Sequence, residues 1–253
     1  MGDWAAQSGA GIRFEWGPAG ADRLASEAAC LIIVDVLSFT TTVGVAVQMG
    51  TRVFPFRHGD GSAAAFAAQY GAELAVGRSA VTRHSPWSLS PAHLRRAPFA
   101  SRLVLPSPNG SAIAAAAPSG VPVVAACLRN ITAVGGWLTA HGYGTRERPV
   151  AVIAAGETWP DGSLRPALED LLGAGSLISD LHAQGAGPLS AEAAAARACA
   201  DCTADVPHAI ATGASGRELT MTGFAEDVAI ATDENVCAVV PTLDGDGAFA
   251  PAQ

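Results

Sequence analysis

Residues 31–42 read Leu31-Ile32-Ile33-Val34-Asp35-Val36-Leu37-Ser38-Phe39-Thr40-Thr41-Thr42. Four apolar residues in a row, with no polar alternation, are what a strand carries when both of its faces are buried. The run stops at a carboxylate, passes through hydroxyl residues and enters a helical stretch over 41–49. A buried strand, a polar turn and a helix, in that order, is the start of a βαβ unit. The same alternation recurs outward from it. Strands are predicted at 11–16, 31–36, 52–56, 73–77, 103–106, 121–126, 150–154 and 236–240. Helices are predicted at 41–49, 62–70, 109–117, 131–140, 166–184, 190–202, 206–211 and 215–222. In 11–16, Ile12, Phe14 and Trp16 alternate with polar residues, which places this strand toward a sheet edge.

The expected architecture is α/β, a three-layer α/β/α fold with a mostly parallel or mixed central sheet. The 253 residues fit a single α/β domain over 1–253, because one core stops growing near about 250–300 residues. Segment 157–166 is expected to be a mobile loop, and 80–101 is a long Pro- and Ser-rich excursion. The tail at 242–253 and the first turn of chain read as weakly ordered.

Composition excludes whole classes of function. Lys is absent, all 15 basic residues are Arg and the net charge is −8, so no basic face for nucleic acid is expected. No stretch of about 18 charge-free apolar residues occurs, and Met1-Gly2-Asp3-Trp4 is not the start of a secretory signal. A cytoplasmic protein that binds neither membrane nor nucleic acid is the expectation. Ala supplies 54 residues, which favours helix and carries no chemistry. The five cysteines are odd in number, against a disulfide framework. Cys199 and Cys202 form a C-x-x-C inside an Ala-rich helical run, without the second pair that a zinc site needs. Of tryptophans 4, 16, 87, 137 and 159, some are expected to fill the core, with an interface in a homo-oligomer as the other reading.

In open α/β sheets, ligands bind beyond the carboxyl ends of the strands. Strand 31–36 leads into Asp35, Ser38, Thr40 and Thr41, and strand 103–106 into Asn109 and Gly110. Strand 121–126 leads into Arg129 and Asn130, and strand 150–154 into Gly156, Glu157 and Thr158. Were these strands parallel neighbours, the four loops would share one rim of helix N-termini suited to a small anion. The same residue types also cap helices and close turns, and both uses stay open. Common phosphate-handling patterns are missing: a Walker motif needs Lys, no G-x-G-x-x-G follows a strand, and Leu37 stands where an Asp-x-Asp loop needs its second acid. Glu169 and Asp170 open the helix at 166–184, where carboxylates suit the helix dipole. With Asp35 they also make a hard-oxygen set suited to Mg²⁺. Ser215-Gly216-Arg217 begins another helix and forms a candidate oxyanion clamp.

From about residue 12 to residue 241 the chain resembles the 2-phosphosulfolactate phosphatase (ComB-like) family. The stretches that carry the resemblance are DVLSFTTT at 35–42, Ser90-Pro91, SPNGS at 107–111, LRNITAV at 128–134 and AAGE at 154–157. They continue with PALEDLLGAG at 166–175, SGREL at 215–219, GFAED at 223–227 and AVVP at 238–241. The resemblance implies a three-layer enzyme that hydrolyses 2-phosphosulfolactate to sulfolactate and phosphate with Mg²⁺. It implies catalytic roles for Asp35, Asn109, Asn130, Glu169 and Arg217, and metal ligation by Asp35, Glu169 and Asp170. Contacts to a small anionic substrate would come from Ser38, Thr40, Thr41, Gly110, Arg129, Glu157, Ser215 and Gly216.

The departures are specific. Ser38 stands where the family typically has Arg, Ala112 replaces a second Arg, Gly77-Arg78 replaces a Gly-Glu pair and Leu89 replaces an Asn. 2-Phosphosulfolactate carries about four negative charges near pH 7. With two guanidiniums gone it is expected to be a poor substrate unless Arg78 or Arg129 compensates. The function expected is Mg²⁺-dependent hydrolysis of a small organic phosphate monoester, with water or a carboxylate as nucleophile. The alternatives are the same scaffold repurposed for a different reaction on a less anionic molecule, and a non-catalytic small-anion binding protein.

Overall fold

In chain order, β1 (Ile12–Trp16), α1 (Gly17–Ala25), β2 (Cys30–Val34), α2 (Phe39–Gln48) and β3 (Arg52–Arg57) come first. The computed structural model describes residues 4–57, 61–118 and 120–252. Next are α3 (Ala63–Tyr70), β4 (Glu73–Leu74), α4 (Pro91–Arg96), β5 (Arg102–Ser107), α5 (Gly110–Ala116) and β6 (Val123–Ala126). They are followed by α6 (Ile131–Ala140), β7 (Val150–Ala154), β8 (Glu157–Thr158), β9 (Leu164–Arg165) and α7 (Leu168–Ala183). The chain continues through α8 (Ala191–Asp201), α9 (Val206–Thr212), α10 (Ala214–Met221), α11 (Ala225–Thr232), β10 (Pro241–Leu243) and β11 (Phe249–Pro251).

Strand β2 explains the layering. Cys30, Ile32 and Val34 enter one core with residues of α6, α7, α8 and α9. Leu31 and Ile33 enter a second core with residues of α1, α2, α4 and α5. Every residue of β2 is buried, which is why its sequence does not alternate. A one-residue slip would exchange the two cores, so the pairing with β7 (Ile32↔Val152) and β6 (Ile32↔Val124) is fixed. On the first face, α8 brings an Ala stripe (Ala193, Ala196, Ala200) against α7. A Cβ at Gly175 would overlap the Ala196 carbonyl oxygen, so the small residues set how closely these two helices pack.

The sheet is mixed, with strand order β1-β7-β2-β6-β10-β11-β3-β5-β4. β1 lies at an edge, as its alternation predicts. Two parallel blocks, β1-β7-β2-β6 and β3-β5-β4, are joined by the antiparallel hairpin β10–β11. β5 is therefore no neighbour of β2.

The hairpin corrects two expectations. No strand forms at 236–240. There the backbone passes over the turn after β6, with the Asn235 and Cys237 N–H groups donating to the carbonyls of Leu128 and Arg129. The residues after Pro241 enter the middle of the sheet, and Phe249 is fully buried against Phe39. Residues 1–3 and 253, also expected to be weakly ordered, lie outside the described residues.

The segment 157–166 is likewise built. It holds the hairpin β8–β9, with Glu157 opposite Arg165. The excursion at 80–101 contains α4, and the indole N–H of Trp87 donates to the Pro98 carbonyl. Helix α1 escapes a sequence pattern because Gly17-Pro18-Ala19-Gly20 reads as a turn, yet Pro suits a first helical turn. All five cysteines are free thiols, and Cys199 and Cys202 lie on or just after α8. Among the described residues no helix is long and apolar enough to cross a membrane.

Phe249→Ala is expected to cost about 3–5 kcal/mol, as for a core aromatic, in urea unfolding. A loss under about 0.5 kcal/mol, the surface value, would show that the tail is peripheral.

Candidate active site

Asp35 follows β2 and is buried. Its Oδ1 accepts the Phe39 N–H at 2.9 Å and its Oδ2 accepts the Gly110 N–H at 2.9 Å. The second bond needs close approach: a Cβ at 110 would overlap the Phe39 ring and stand 2.8 Å from Asp35 Oδ2. Only glycine lets the start of α5 reach the end of β2. Residues 108–110 thus bridge the gap that the strand order leaves between β5 and β2. Asp170, in the first turn of α7, forms the matching latch. Its Oδ1 accepts the Val36 N–H and its Oδ2 the Gly156 N–H, both at 2.8 Å.

Two further acids complete the group. Glu169 is buried and accepts no hydrogen bond from any described residue. Glu157, on β8, accepts from the Asn109 amide at 3.1 Å, and Asn109 Oδ1 accepts from Thr158 at 3.3 Å. Burial pushes the Asp35 carboxyl from 3.8 up to about 6, against its two N–H donors and with added repulsion from Glu169. Burial, then repulsion from Asp35 and Glu169, pushes Glu157 from 4.5 up to about 7. Burial and the same two neighbours hold Asp170 well above the usual carboxylate range. Glu169 contributes to all three shifts, so it sits among the other acids.

Two arginines face this group, and neither stands where the sequence motifs placed a cation. Arg78, in a 3-10 turn after β4, donates from Nη2 to Ser38 Oγ at 2.5 Å and to the Leu89 carbonyl at 3.3 Å. Its charge lowers the Asp35 pKa. Its Nε donates to buried Asp227 at 3.1 Å, and Asp227 also accepts from Ser90 Oγ and the Ala92 N–H. A guanidinium therefore reaches Ser38 from another part of the chain. Arg165 comes from β9. As the cross-strand partner of Glu157 it shares a face with it, lowers its pKa and donates to Ser215 Oγ at 3.2 Å.

The remaining candidates are used elsewhere. Thr40 Oγ1 accepts the Asp35 N–H and donates to the Asp35 carbonyl, and Thr41 Oγ1 donates to the Val36 carbonyl. Both threonines are fully buried turn-closers. The Asn130 amide accepts the Cys127 N–H and donates to the carbonyls of Ala125 and Val239. Arg129 is buried on the Ile230 carbonyl and Asp233. Ser215, Gly216 and Arg217 do not act as one clamp. Residues two apart on a helix face different ways, so Ser215 turns to Arg165 while Arg217 is exposed on α10 beside Glu218 and Met221. Gly216 is a packing residue, since a Cβ there would overlap the Ile210 carbonyl oxygen.

Among the described residues, no three His, Cys, Asp or Glu side chains enclose a metal position by themselves. Mg²⁺ does not require that, because it takes one or two carboxylates with waters and substrate phosphate. Glu169, unbonded, and Asp35, its electrostatic neighbour, fit such a donor pair. Asp35 and Asp170 each have both oxygens on backbone N–H groups and can offer an ion only a remaining lone pair. Asp35, not Asp170, is the one that with Glu169 raises the Glu157 pKa.

The model of the 2-phosphosulpholactate phosphatase family matches residues 20–246. No curated protein matches the chain.

The raised carboxyls predict a pH signature. The folded chain keeps protons on Asp35 up to about 6 and on Glu157 up to about 7, where the ordinary values are 3.8 and 4.5. Stability from these groups is complete at low pH and falls as pH rises through that window. Glu169→Gln removes one charge behind the shifts. Its melting temperature in metal-free buffer should fall less than that of the wild type between pH 4 and pH 8. Parallel falls would contradict the cluster.

Proposed function

The chain belongs to the 2-phosphosulpholactate phosphatase family, and on that premise we propose that it hydrolyses a small organic phosphate monoester with the help of Mg²⁺. The observation that carries this reading is the meeting of four acids, Asp35, Glu157, Glu169 and Asp170, with two arginines, Arg78 and Arg165, beyond the ends of β2 and β7. Asp35 and Glu169 are the residues to hold the ion. When bound, it polarises a phosphoryl oxygen and neutralises charge that develops there.

The chain's own groups supply the rest. Arg78 and Arg165 pair with the phosphoryl oxygens, each already oriented by a hydroxyl, Ser38 or Ser215. Asp170 keeps the ends of β2 and β7 at fixed spacing from α7. Glu157, oriented by Asn109, protonates the departing alkoxide. A cation beside Asp35 and Glu169 removes two causes of its raised pKa and leaves burial, the first. Water adds its oxygen to phosphorus, leaving one proton on the phosphate formed and giving the other to solvent. The ester P–O bond breaks, the alcohol leaves with the Glu157 proton, and solvent returns a proton to Glu157.

Acids outnumber arginines in this group, so a dianionic monoester is better matched than a substrate with four charges. 2-Phosphosulfolactate should be turned over with kcat/KM below about 10⁴ M⁻¹s⁻¹, while dianionic monoesters exceed it. Phosphate release from a panel of small esters, with and without Mg²⁺, tests the reading. Mg²⁺-dependent release that is lost in Asp35→Ala and Glu169→Gln supports it, and no release from any ester overturns it.

Glu157→Gln isolates the acid. An alkyl ester, whose leaving group needs a proton, should lose about 10²–10⁴-fold in kcat, together with the alkaline limb of the pH profile. 4-Nitrophenyl phosphate should lose far less. Equal losses on both esters would remove Glu157 from proton transfer.

A further inference from the structure

Beside the ends of β3, β4 and β5 lies a cavity of about 510 Å³. Phe56, Leu74, Val76, Leu89 and Pro108 supply apolar walls, and Arg57 and Arg78 are its charged lining residues. Among the described lining residues there is no acid. Two of its lining residues, Arg78 and Pro108, connect the cavity to the carboxylate group. Arg78 belongs to both, bonding Ser38 while it lines the cavity. Pro108 precedes Asn109 and Gly110, which bond Glu157 and Asp35. The mechanism above uses none of the apolar wall.

Size and chemistry point the same way. Pockets of about 300–1,000 Å³ take drug-sized ligands, and a three-carbon acid needs far less. A sulfonate or carboxylate seated on the Phe56, Leu74 and Val76 wall, away from Arg57 and Arg78, would lose water without gaining a donor, which is costly. A hydrocarbon group gains by the same burial.

We infer that the alcohol released by this protein is apolar, an aromatic or branched-aliphatic group of phenylalkyl size, seated in this cavity with its phosphoryl end at Arg78. The inference rests on the phosphatase reading and narrows its substrate class. Specificity then comes from β3, β4 and the residues around Leu89, while the chemistry comes from the ends of β2 and β7.

The test compares ethyl phosphate with 2-phenylethyl phosphate, two primary alkyl esters that differ by the ring. With Mg²⁺, wild type should show kcat/KM about tenfold or more higher on the phenylethyl ester. Val76→Trp, which fills the cavity, should lower turnover of the phenylethyl ester far more than that of ethyl phosphate and so abolish that preference. Release from both esters at equal rates overturns the inference and leaves the phosphatase reading standing. Release from neither overturns the phosphatase reading. Calorimetry with 2-phenylethylphosphonate and ethylphosphonate then still decides the cavity: about tenfold tighter binding of the first, lost in Val76→Trp, supports it, and equal binding overturns it.

Discussion

The N–H groups of Val36, Phe39, Gly110 and Gly156 come from the turn after β2, the start of α5 and the end of β7, and all four end on the carboxylates of Asp35 and Asp170. Asp35 ties the start of α5 to the end of β2, which the sheet alone does not bring into contact, since β6, β10, β11 and β3 separate β2 from β5. Asp170 ties α7 to the ends of β2 and β7. Removing either acid leaves two buried donors unpaired, at about 1–3 kcal/mol each. The same bonds lower the pKa of each acid while burial raises it, and burial wins in both. The protein therefore holds acids where water stabilises them poorly. Such a group favours a proton or a cation, and that preference links the fold to its chemistry.

Rigid and loop-borne elements divide the work. The acids Asp35, Glu169 and Asp170 sit at a strand end and in the first turn of a helix. The arginines arrive on excursions, Arg78 in a 3-10 turn and Arg165 on a two-stranded hairpin. Functional groups often ride on loops over a fixed scaffold, and here the loops are themselves fastened. Asp227 holds Arg78 from α11, and the Trp159 ring lies under Arg165, with the guanidinium 5.6 Å from the ring centroid. Asp227 gives the GFAED stretch a physical role: its buried carboxylate aims a guanidinium at Ser38.

What could be read from sequence follows the range of the interactions. The doubly buried β2, the long α7 and the edge position of β1 announce themselves through local apolar pattern. The acids were legible because strand ends and helix starts are where such groups collect. β10 and β11 were not, because three-residue strands around a Gly-Asp turn carry little pattern, and their place between β6 and β3 depends on non-local pairing. The Val-rich stretch at 236–240 has strand-like composition, yet its N–H groups go to the turn at 128–129. Arg165 was hidden as a site residue because its neighbour in space, Ser215, is far away in sequence. Arg78 could be named only as one of two arginines able to compensate, with no sign that it meets Ser38. Arg217 stood out for its place in a motif, but helical geometry turns it away from Ser215. The Thr run shows the opposite ambiguity, since the same hydroxyls could face a ligand or close a turn, and in Thr40 and Thr41 they close the turn.

In the proposed chemistry, Asp35 and Glu169 form the seat of a divalent cation within a group of buried acids. Titration calorimetry with Mg²⁺ and Mn²⁺ on wild type, Asp35→Ala and Glu169→Gln tests it most directly, because it needs no substrate. Saturable binding of one ion per chain is expected in wild type and its loss in both variants, each checked for a cooperative thermal transition. Undiminished binding by either folded variant would contradict it.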